Sequence, residues 1–479
     1  MKISSLLKDT FVYGITRYLS LFSALLLTPL YTRYFLKSEY GVLDIFNTWV
    51  GFASVIVPLG LIASILRLLP ESKNDLEKEK KTLNTIFIHL VLQSVIYLIF
   101  MFFFKSYFYK IYSIDSSFDL IFYLSNIVLI IQIFLNFNLS VLRIKFQKKK
   151  YLSVTLTNLF VLNILGFSFV YFFKMRIESF FIASLIANSL SLILAAFYNY
   201  KYWGFKFDRA HSKRIFQYSI HILSAALLFK LASLIDRGII SYYDKSLDAM
   251  GDYSIALRIG NLITLFSSAF TIAWFPHAIH IKDDLGADKK FTKIHNFFFL
   301  IMILFISMLF LFRYEIILVM APNYFETYFL IPLVTYSALI NGSVYFYSLG
   351  IHFTKKATVI SIAAVISIAA NVVLSILLVQ NFGLYGVLIG TLVGFLIWVT
   401  IQYYYSQKYY KIRYDLKYPV YLIVITMFSI FISYILDYYL SIPYYTSLSI
   451  KIFILLSVFV IFIKKYMVEI KNILIKKAF

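Results

Sequence analysis

The sequence predicts an all-α integral membrane protein with about fourteen membrane-spanning helices. Of its 479 residues, 61% are hydrophobic and only 14% are charged, whereas soluble globular proteins carry about 25% charged residues. Apolar runs of about 20 residues, the length that a helix needs to cross the hydrocarbon core, recur along the chain. Short basic segments separate these runs. The composition therefore excludes an ordinary soluble domain.

Apolar runs between charged or turn-rich breaks define the predicted spans. The first run is too long for the core of a signal peptide and lacks a small-residue cleavage motif, so we expect it to stay in the membrane. The fourteen predicted spans are residues 11–35, 41–66, 83–104, 118–140, 152–173, 178–199, 215–240, 249–279, 295–318, 326–350, 357–380, 384–406, 418–440 and 446–463.

The basic residues indicate how the chain is oriented. With the N-terminus in the cytoplasm, the cytoplasmic segments hold 32 of the 45 Lys and Arg residues and the opposite side holds 8. Cytoplasmic loops are typically enriched in Lys and Arg, so both ends are predicted to be cytoplasmic. The net charge of +22 then reflects short loops that face anionic membrane lipids. A nucleic-acid partner is not expected.

Five basic residues lie inside predicted spans, where topology does not explain them. Each costs roughly 2.5–3.5 kcal/mol to insert, and such residues usually face a bundle interior or a water-filled cavity. We therefore predict that they bind a substrate. They belong to spans 1, 7 and 8 and are Arg17, Arg33, Lys230, Arg237 and Arg258.

Span 7 carries the clearest polar stripe. Lys230 and Arg237 are seven residues apart, so they share one face of a helix. Span 2 carries Asp44 and other polar residues in its outer half. Two alternatives stay open: Arg33 and Arg237 lie near helix ends, where long side chains can reach headgroups, and Asp236 can pair with a base on a neighbouring helix and hold the bundle together.

The spans fall into two similar halves. A basic pair leads to Asn163 in the first half and to Asn371 in the second, and the hydropathy that follows is alike. We predict six-helix lobes over residues 1–200 and 201–410, with two extra spans and a basic tail over 411–479. Six spans per lobe give parallel repeats, and transporters of this kind bind substrate in a central cavity between the repeats.

Several chemistries lack the residues that they need. The chain has no cysteine, and the pair His277 and His280 has no third ligand nearby, so no metal site is expected. It also lacks a G-x-x-x-x-G-K-[ST] nucleotide loop, which argues against ATP hydrolysis. No cofactor is predicted. A membrane glycosyltransferase would need a sizeable loop for its chemistry, and none is present, so we do not expect an enzyme.

Three stretches carry a resemblance to a known family: "DRGIISYYDKSLDAMGDYSIALRIGNLITLFSSAFTIAWFP" (236–276), "LTPLYTRYFLKSEYGVLDIF" (27–46) and "AANVVLSILLVQNFGLYGVLIGTLVG" (369–394). They resemble the polysaccharide (O-antigen, Wzx-type) flippases of the multidrug/oligosaccharidyl-lipid/polysaccharide exporter superfamily. The resemblance implies alternating-access transport of undecaprenyl-diphosphate-linked oligosaccharides across the bacterial inner membrane. The polymerase and glycosyltransferases of the same pathway are the implied partners.

The family's cationic central cavity maps onto four of the five intramembrane bases, namely Arg17, Lys230, Arg237 and Arg258. Its chemistry agrees with the charge argument, because Arg binds phosphate oxygens bidentately and Lys acts as a point charge. Asp44 and Asp236 are the acids placed to couple transport to protons or another cation. A flippase for the lipid-linked peptidoglycan precursor and a multidrug exporter of the same superfamily remain alternatives.

Overall fold

The structure, a computed structural model, describes residues 26–71, 75–204, 207, 212, 215, 224–354, 356, 358–439 and 443–457. Throughout these ranges the regular structure is helical, and no strand occurs in them. Ten of the helices in the described part of the chain are long and apolar enough to cross a membrane. The predicted fold class, an all-α integral membrane protein, is confirmed. Parts of the first and last predicted spans lie outside the described residues.

We number the described helices in chain order. They are α1 (described over 26–34), α2 (Lys37–Ile56), α3 (Leu61–Glu71), α4 (Leu76–Tyr112), α5 (Asp119–Ile144), α6 (Lys148–Tyr171), α7 (Glu178–Tyr198), α8 (Ser224–Tyr243), α9 (Asp248–Ile281), α10 (Ala287–Leu311), α11 (Arg313–Met320), α12 (Thr327–Tyr347), α13 (Leu349–Phe353), α14 (Thr358–Phe382), α15 (Leu384–Tyr409), α16 (Lys417–Tyr434) and α17 (Tyr444–Ser457). A π-helix, Ile435–Tyr439, continues α16.

The helices form two compact units that do not follow simple chain halves. The first unit comprises residues 1–254 and 364–390, and the second comprises 255–363 and 391–479. The first unit therefore takes segments from both predicted lobes, whereas the second takes none from residues 1–200. The division into lobes at residues 200 and 410 stays a prediction.

In the first unit, α5, α6 and α7 pack together around a small apolar core. Its buried residues are Leu135, Leu142, Val154 and Ala195, one or two from each helix. On the other side of α5 lie α2 and α3, and α8 packs against both α2 and α4. This arrangement holds the polar helix α8 among helices of the N-terminal part of the chain.

The prediction of one continuous helix over 41–66 is wrong, because the structure has two helices there. Helix α2 ends at Ile56, and α3 begins at Leu61 after a turn. Proline lacks the N–H that would continue the helix, and Pro58 is followed by Leu59 (φ 45°) and Gly60 (φ 77°). The positive φ of the last two residues turns the chain at this point. The span predicted over 295–318 is likewise divided, into α10 and α11.

Two glycines let α9 begin against α2. A Cβ on Gly251 would overlap the backbone carbonyl of Lys37, and a Cβ on Gly41 would lie 2.5 Å from the carbonyl oxygen of Leu247. Real Cβ atoms do not approach backbone oxygens this closely. An ion pair between Lys37 and Asp252 (3.2 Å) closes the same contact. Glycine at both positions thus fixes how the start of α9 sits on α2.

In the second unit, α10 packs against α16, α12 and α11. Four charged side chains form a buried network beside these helices. The Lys451 ammonium pairs with Glu315 (2.8 Å) and with Asp437 (2.5 Å), and the Arg313 guanidinium stacks 3.7 Å above the ring of Tyr328. The two positive and two negative charges balance. The two ion pairs of Lys451 tie α17 to α11 and to the π-helix.

The Gly251→Ala variant should be less stable than the parent protein, because the new methyl group forces α9 away from the Lys37 carbonyl. Gly238→Ala is the matched control, since Gly238 also lies inside a helix and its added Cβ would meet atoms only at 3.9 Å or beyond. We expect a lower thermal unfolding midpoint in detergent for the first variant and an unchanged or higher midpoint for the second. Equal midpoints would contradict the packing argument.

Candidate functional site

Arg237 lies buried on α8 and is held by groups from three helices. Its Nε donates to Oδ2 of Asp44 on α2 (3.0 Å). Its Nη1 donates to the carbonyl (3.1 Å) and hydroxyl (2.9 Å) oxygens of Ser233, one turn earlier on α8. The guanidinium carbon also lies 5.1 Å from the ring centre of Tyr253 on α9. The charge is thus neutralised and fully engaged within the first unit.

Lys230 differs from Arg237 in its exposure. Lys230 is exposed, and its Nζ lies 3.4 Å from the point where a Cβ on Gly51 would stand. No ion pair joins it to a carboxylate among the residues that the structure describes. The absence of a side chain at Gly51 leaves room for the ammonium group against α2. An accessible positive charge therefore remains on this face of α8.

The two basic residues contact α2 in a regular register. Arg237 meets Asp44, and Lys230 meets Gly51, so a step of seven residues along α8 matches a step of seven along α2 in the opposite direction. Seven residues are almost two helical turns, about 10.5 Å of rise. The spacing of Lys230 and Arg237 indicated a shared face, and in the structure both face α2.

Asp236 points to a different neighbour. It is buried and accepts a hydrogen bond from Nδ2 of Asn371 on α14 (3.3 Å). The Ser375 hydroxyl donates to Oδ1 of Asn371 (3.0 Å) and lies 3.4 Å from the carbonyl oxygen of Val387 on α15. The sequence analysis did not identify Ser375 as a site residue. Ser375 follows Asn371 by four residues, so the two share one face of the helix, and this spacing is the signal that could have identified it.

The other predicted site residues lie elsewhere. Arg33 is exposed near the end of α1, and its Nη1 donates to the carbonyl oxygen of Pro29 on the same helix (2.8 Å). Arg258 is half-buried and belongs to the second unit. Arg17 lies outside the described residues. Of the five predicted bases, the structure therefore places Lys230 and Arg237 together, with Asp44 between α2 and α8.

A charged residue in the first turn of α2, Glu39, also has an oppositely charged partner. Glu39 accepts from Nη2 of Arg176 (2.7 Å), which lies in the loop between α6 and α7. This hydrogen bond holds the pKa of the Arg176 guanidinium above its ordinary value. Within the described ranges, no group of three or more His, Cys, Asp or Glu side chains is arranged to hold a metal ion.

The fold and the site together define a class of protein. It is a multi-pass all-α membrane protein in which charged side chains of different helices pair inside the bundle. The chain belongs to the polysaccharide biosynthesis protein family, whose model matches residues 6–282. The predicted family membership is confirmed.

Solved structures show the same fold. A lipid II flippase MurJ in an inward closed conformation superposes with a TM-score of 0.71 at 16% identity, covering 96% of this chain and 100% of that one. An inward-facing multidrug resistance MATE family transporter of the MOP superfamily has a TM-score of 0.62 at 15% identity, covering 82% and 94%. A MATE transporter of Vibrio cholerae has a TM-score of 0.59 at 14% identity, covering 85% and 97%. No match was found among curated protein sequences.

Removing either partner of the Arg237–Asp44 pair should destabilise the protein by about 3 kcal/mol, because the other charge is left buried and unpaired. The Lys290–Asp284 pair (2.7 Å), whose side chains are exposed, is the control, and Lys290→Ala should cost under about 1 kcal/mol. Thermal unfolding of Arg237→Ala, Asp44→Ala and the double variant gives the coupling energy. Strictly additive effects would show that the pair does not stabilise the fold.

Proposed function

We propose that this protein is a flippase that carries oligosaccharides, linked through a diphosphate to a polyprenyl lipid, across the bacterial inner membrane for surface-polysaccharide synthesis. The supporting observation is the accessible ammonium of Lys230, held on a polar helix beside the Arg237–Asp44 pair. The family to which the chain belongs, polysaccharide biosynthesis proteins, supports a sugar-bearing substrate.

The chemistry of the substrate explains why a cationic path is needed. A sugar diphosphate head carries about two negative charges, and moving it through hydrocarbon unaided is prohibitive. A protein can offer polar and positively charged groups to the head while the lipid tail stays in the bilayer. In this proposal the head contacts Lys230 directly. Arg237 is a positioning residue in the resting state, because Asp44 already neutralises it.

The remaining predicted bases complete the proposal. Arg17, Arg33 and Arg258 would contact the head in other conformations of an alternating-access cycle, in which the predicted lobes rock about the substrate site. Both termini would face the cytoplasm, since that orientation places most loop bases on the cytoplasmic side. The glycosyltransferases that build the repeat unit and the polymerase that consumes it would act before and after this step.

Asp44 and Asp236 are the acids proposed to couple transport to protons or another cation. Asp236 is tested first, because Asp44 already pairs with a guanidinium, whereas Asp236 is the carboxylate that contacts α14, through Asn371. Binding of such an ion would change the charge on α8 between the two ends of the cycle.

Replacing Lys230 with Ala should lower translocation by about tenfold or more, the factor that a lost charge-assisted hydrogen bond of about 1.5–3 kcal/mol supplies. Lys230→Arg, which keeps the charge, should retain most activity. Lys289→Ala, an exposed lysine at the start of α10, is the matched control. The assay follows a fluorescent lipid-linked oligosaccharide in liposomes that contain the purified protein.

The same liposomes separate the alternatives. Translocation of the lipid-linked peptidoglycan precursor in preference to the oligosaccharide would favour the second flippase activity, which the MurJ-like fold makes the nearest rival. Uptake of a cationic dye with no lipid translocation would favour a multidrug exporter. Full translocation by Lys230→Ala would remove the main support for the proposed site.

Asp236→Asn should make translocation insensitive to an imposed ion gradient, because the amide neither takes up and releases a proton nor supplies the negative charge that attracts a cation. We expect the parent protein to respond to a proton or sodium gradient across the liposome membrane. Asp283→Asn is the control, since Asp283 has a side chain that is 83% exposed in the loop before α10. A gradient response that survives in Asp236→Asn would assign coupling to another group.

A further inference from the structure

An apolar groove runs along the side of α8 that faces away from Lys230 and Arg237. Its volume is about 980 Å³, and it lies within the first unit. Helices α2, α4, α8 and α14 all contribute to it, for example through Phe52, Phe104, Leu231 and Ile376. At about 100° per residue, the lining residues of α8 centre well over 90° from the line that joins Lys230 to Arg237. One helix therefore separates a basic stripe from an apolar groove.

The groove has the length of one bilayer leaflet. On α8 it extends from Leu231 to Tyr243, which is about 18 Å of helix at 1.5 Å per residue. Half of a typical hydrocarbon core is about 15 Å. Its lining is accessible rather than packed, since Leu231 is 40% exposed and Ile376 is 49% exposed. These dimensions suit a single hydrocarbon chain that lies along the helix.

One end of the groove is polar. The Tyr243 hydroxyl donates to the carbonyl oxygen of Gln380 (2.6 Å), so α8 and α14 are joined there. The exposed lysines Lys110 and Lys245 lie one and two residues along the chain from the lining residues Ile111 and Tyr243. A phosphate group at the end of a hydrocarbon chain in the groove would meet these lysines.

Asp244, the acidic residue next to Tyr243 in the chain, already accepts hydrogen bonds from neighbouring groups. The Asp244 carboxylate accepts from the backbone N–H groups of Ser246 (3.1 Å) and Ala249 (2.8 Å), and from the Ser246 hydroxyl (2.7 Å). It therefore serves to shape the turn into α9. Positive charge at the mouth and an apolar interior together match an anionic lipid with its head at the lysines.

We propose that this groove holds the polyprenyl tail of the transported lipid after its head has crossed the membrane, with the diphosphate beside Lys110 and Lys245. The inference rests on the proposed function and adds a second binding position for the lipid head to it. Lys230 and Tyr243 are 13 residues apart on α8, or about 20 Å. The head would therefore advance by more than one leaflet between its position at Lys230 and its position at the end of the groove. On the predicted orientation, this end faces the outer leaflet.

Filling the groove tests the inference. Ile376→Trp and Leu231→Trp add bulk inside it, and Ile366→Trp is the matched control, because Ile366 lies on the same helix, is 46% exposed and does not line the groove. Translocation is measured with two diphosphate-linked oligosaccharides, one on an undecaprenyl tail and one on a short geranyl tail. Size-exclusion profiles of each variant confirm that the protein is folded.

We expect the groove-filling variants to lose about tenfold in translocation of the undecaprenyl substrate, since several buried isoprene units are displaced, and to move the geranyl substrate as the parent does. The control should move both substrates normally. An equal loss for both tails, or no loss for either, would overturn the inference.

A binding measurement separates this inference from the proposed function. An undecaprenyl diphosphate with a photoreactive group in its tail should crosslink to peptides of α8 and α14 in the parent protein, and Ile376→Trp should abolish the crosslink. If the parent protein translocates nothing but the crosslink forms, the flippase proposal fails and the groove assignment stands. Crosslinks elsewhere, or displacement of the probe by phosphatidylglycerol alone, would assign the groove to a bilayer phospholipid and overturn the inference.

Discussion

The ion pair between Asp44 and Arg237 is the interaction on which the first unit depends. It joins α2 and α8, two helices that both carry charged residues along their length. Each unpaired charge inside a membrane costs roughly 2.5–3.5 kcal/mol, and pairing removes most of that cost for both helices at once. Because the pair fixes the register of α8 on α2, it also determines that Lys230 stands opposite Gly51.

The three faces of α8 contact different neighbours. Arg237 anchors the helix, and Lys230 keeps an accessible charge on the same face. Asp236 turns towards α14, where it meets Asn371, and Leu231 lies on the side of the groove. Because α8 is one helix, the proposed binding of an ion at Asp236 would move Lys230 only if the contacts of α8 with its neighbours change as well.

The sequence predicted those features of the site that follow from the helical repeat within one segment of the chain. The shared face of Lys230 and Arg237 follows from the helical repeat alone, and the break after α2 had a visible signal in Pro58 followed by Gly60. Pairing across 193 residues, from Asp44 to Arg237, has no such local signal. The burial of Arg313 and Lys451 likewise has no local signal in the sequence. Nor could the groove be predicted, because apolar residues that line it and those that face lipid have the same composition.

The two units differ in how far carboxylates neutralise their basic residues, and this difference bears on whether the proposed substrate is an anion or a cation. In the second unit, Lys451 and Arg313 lie among Glu315, Asp437 and Tyr328, and the charges cancel. In the first unit, one carboxylate neutralises Arg237, and no carboxylate pairs with Lys230 among the described residues. A positively charged drug would be repelled at Lys230, whereas a diphosphate would be attracted with a Coulomb energy of about 4 kcal/mol per charge pair at 4 Å near a protein surface. Since a bilayer offers an anionic head no comparable partner in its interior, the proposed function needs only one exposed ammonium, on a helix that its neighbours already hold in place, to favour an anionic lipid over a cationic drug.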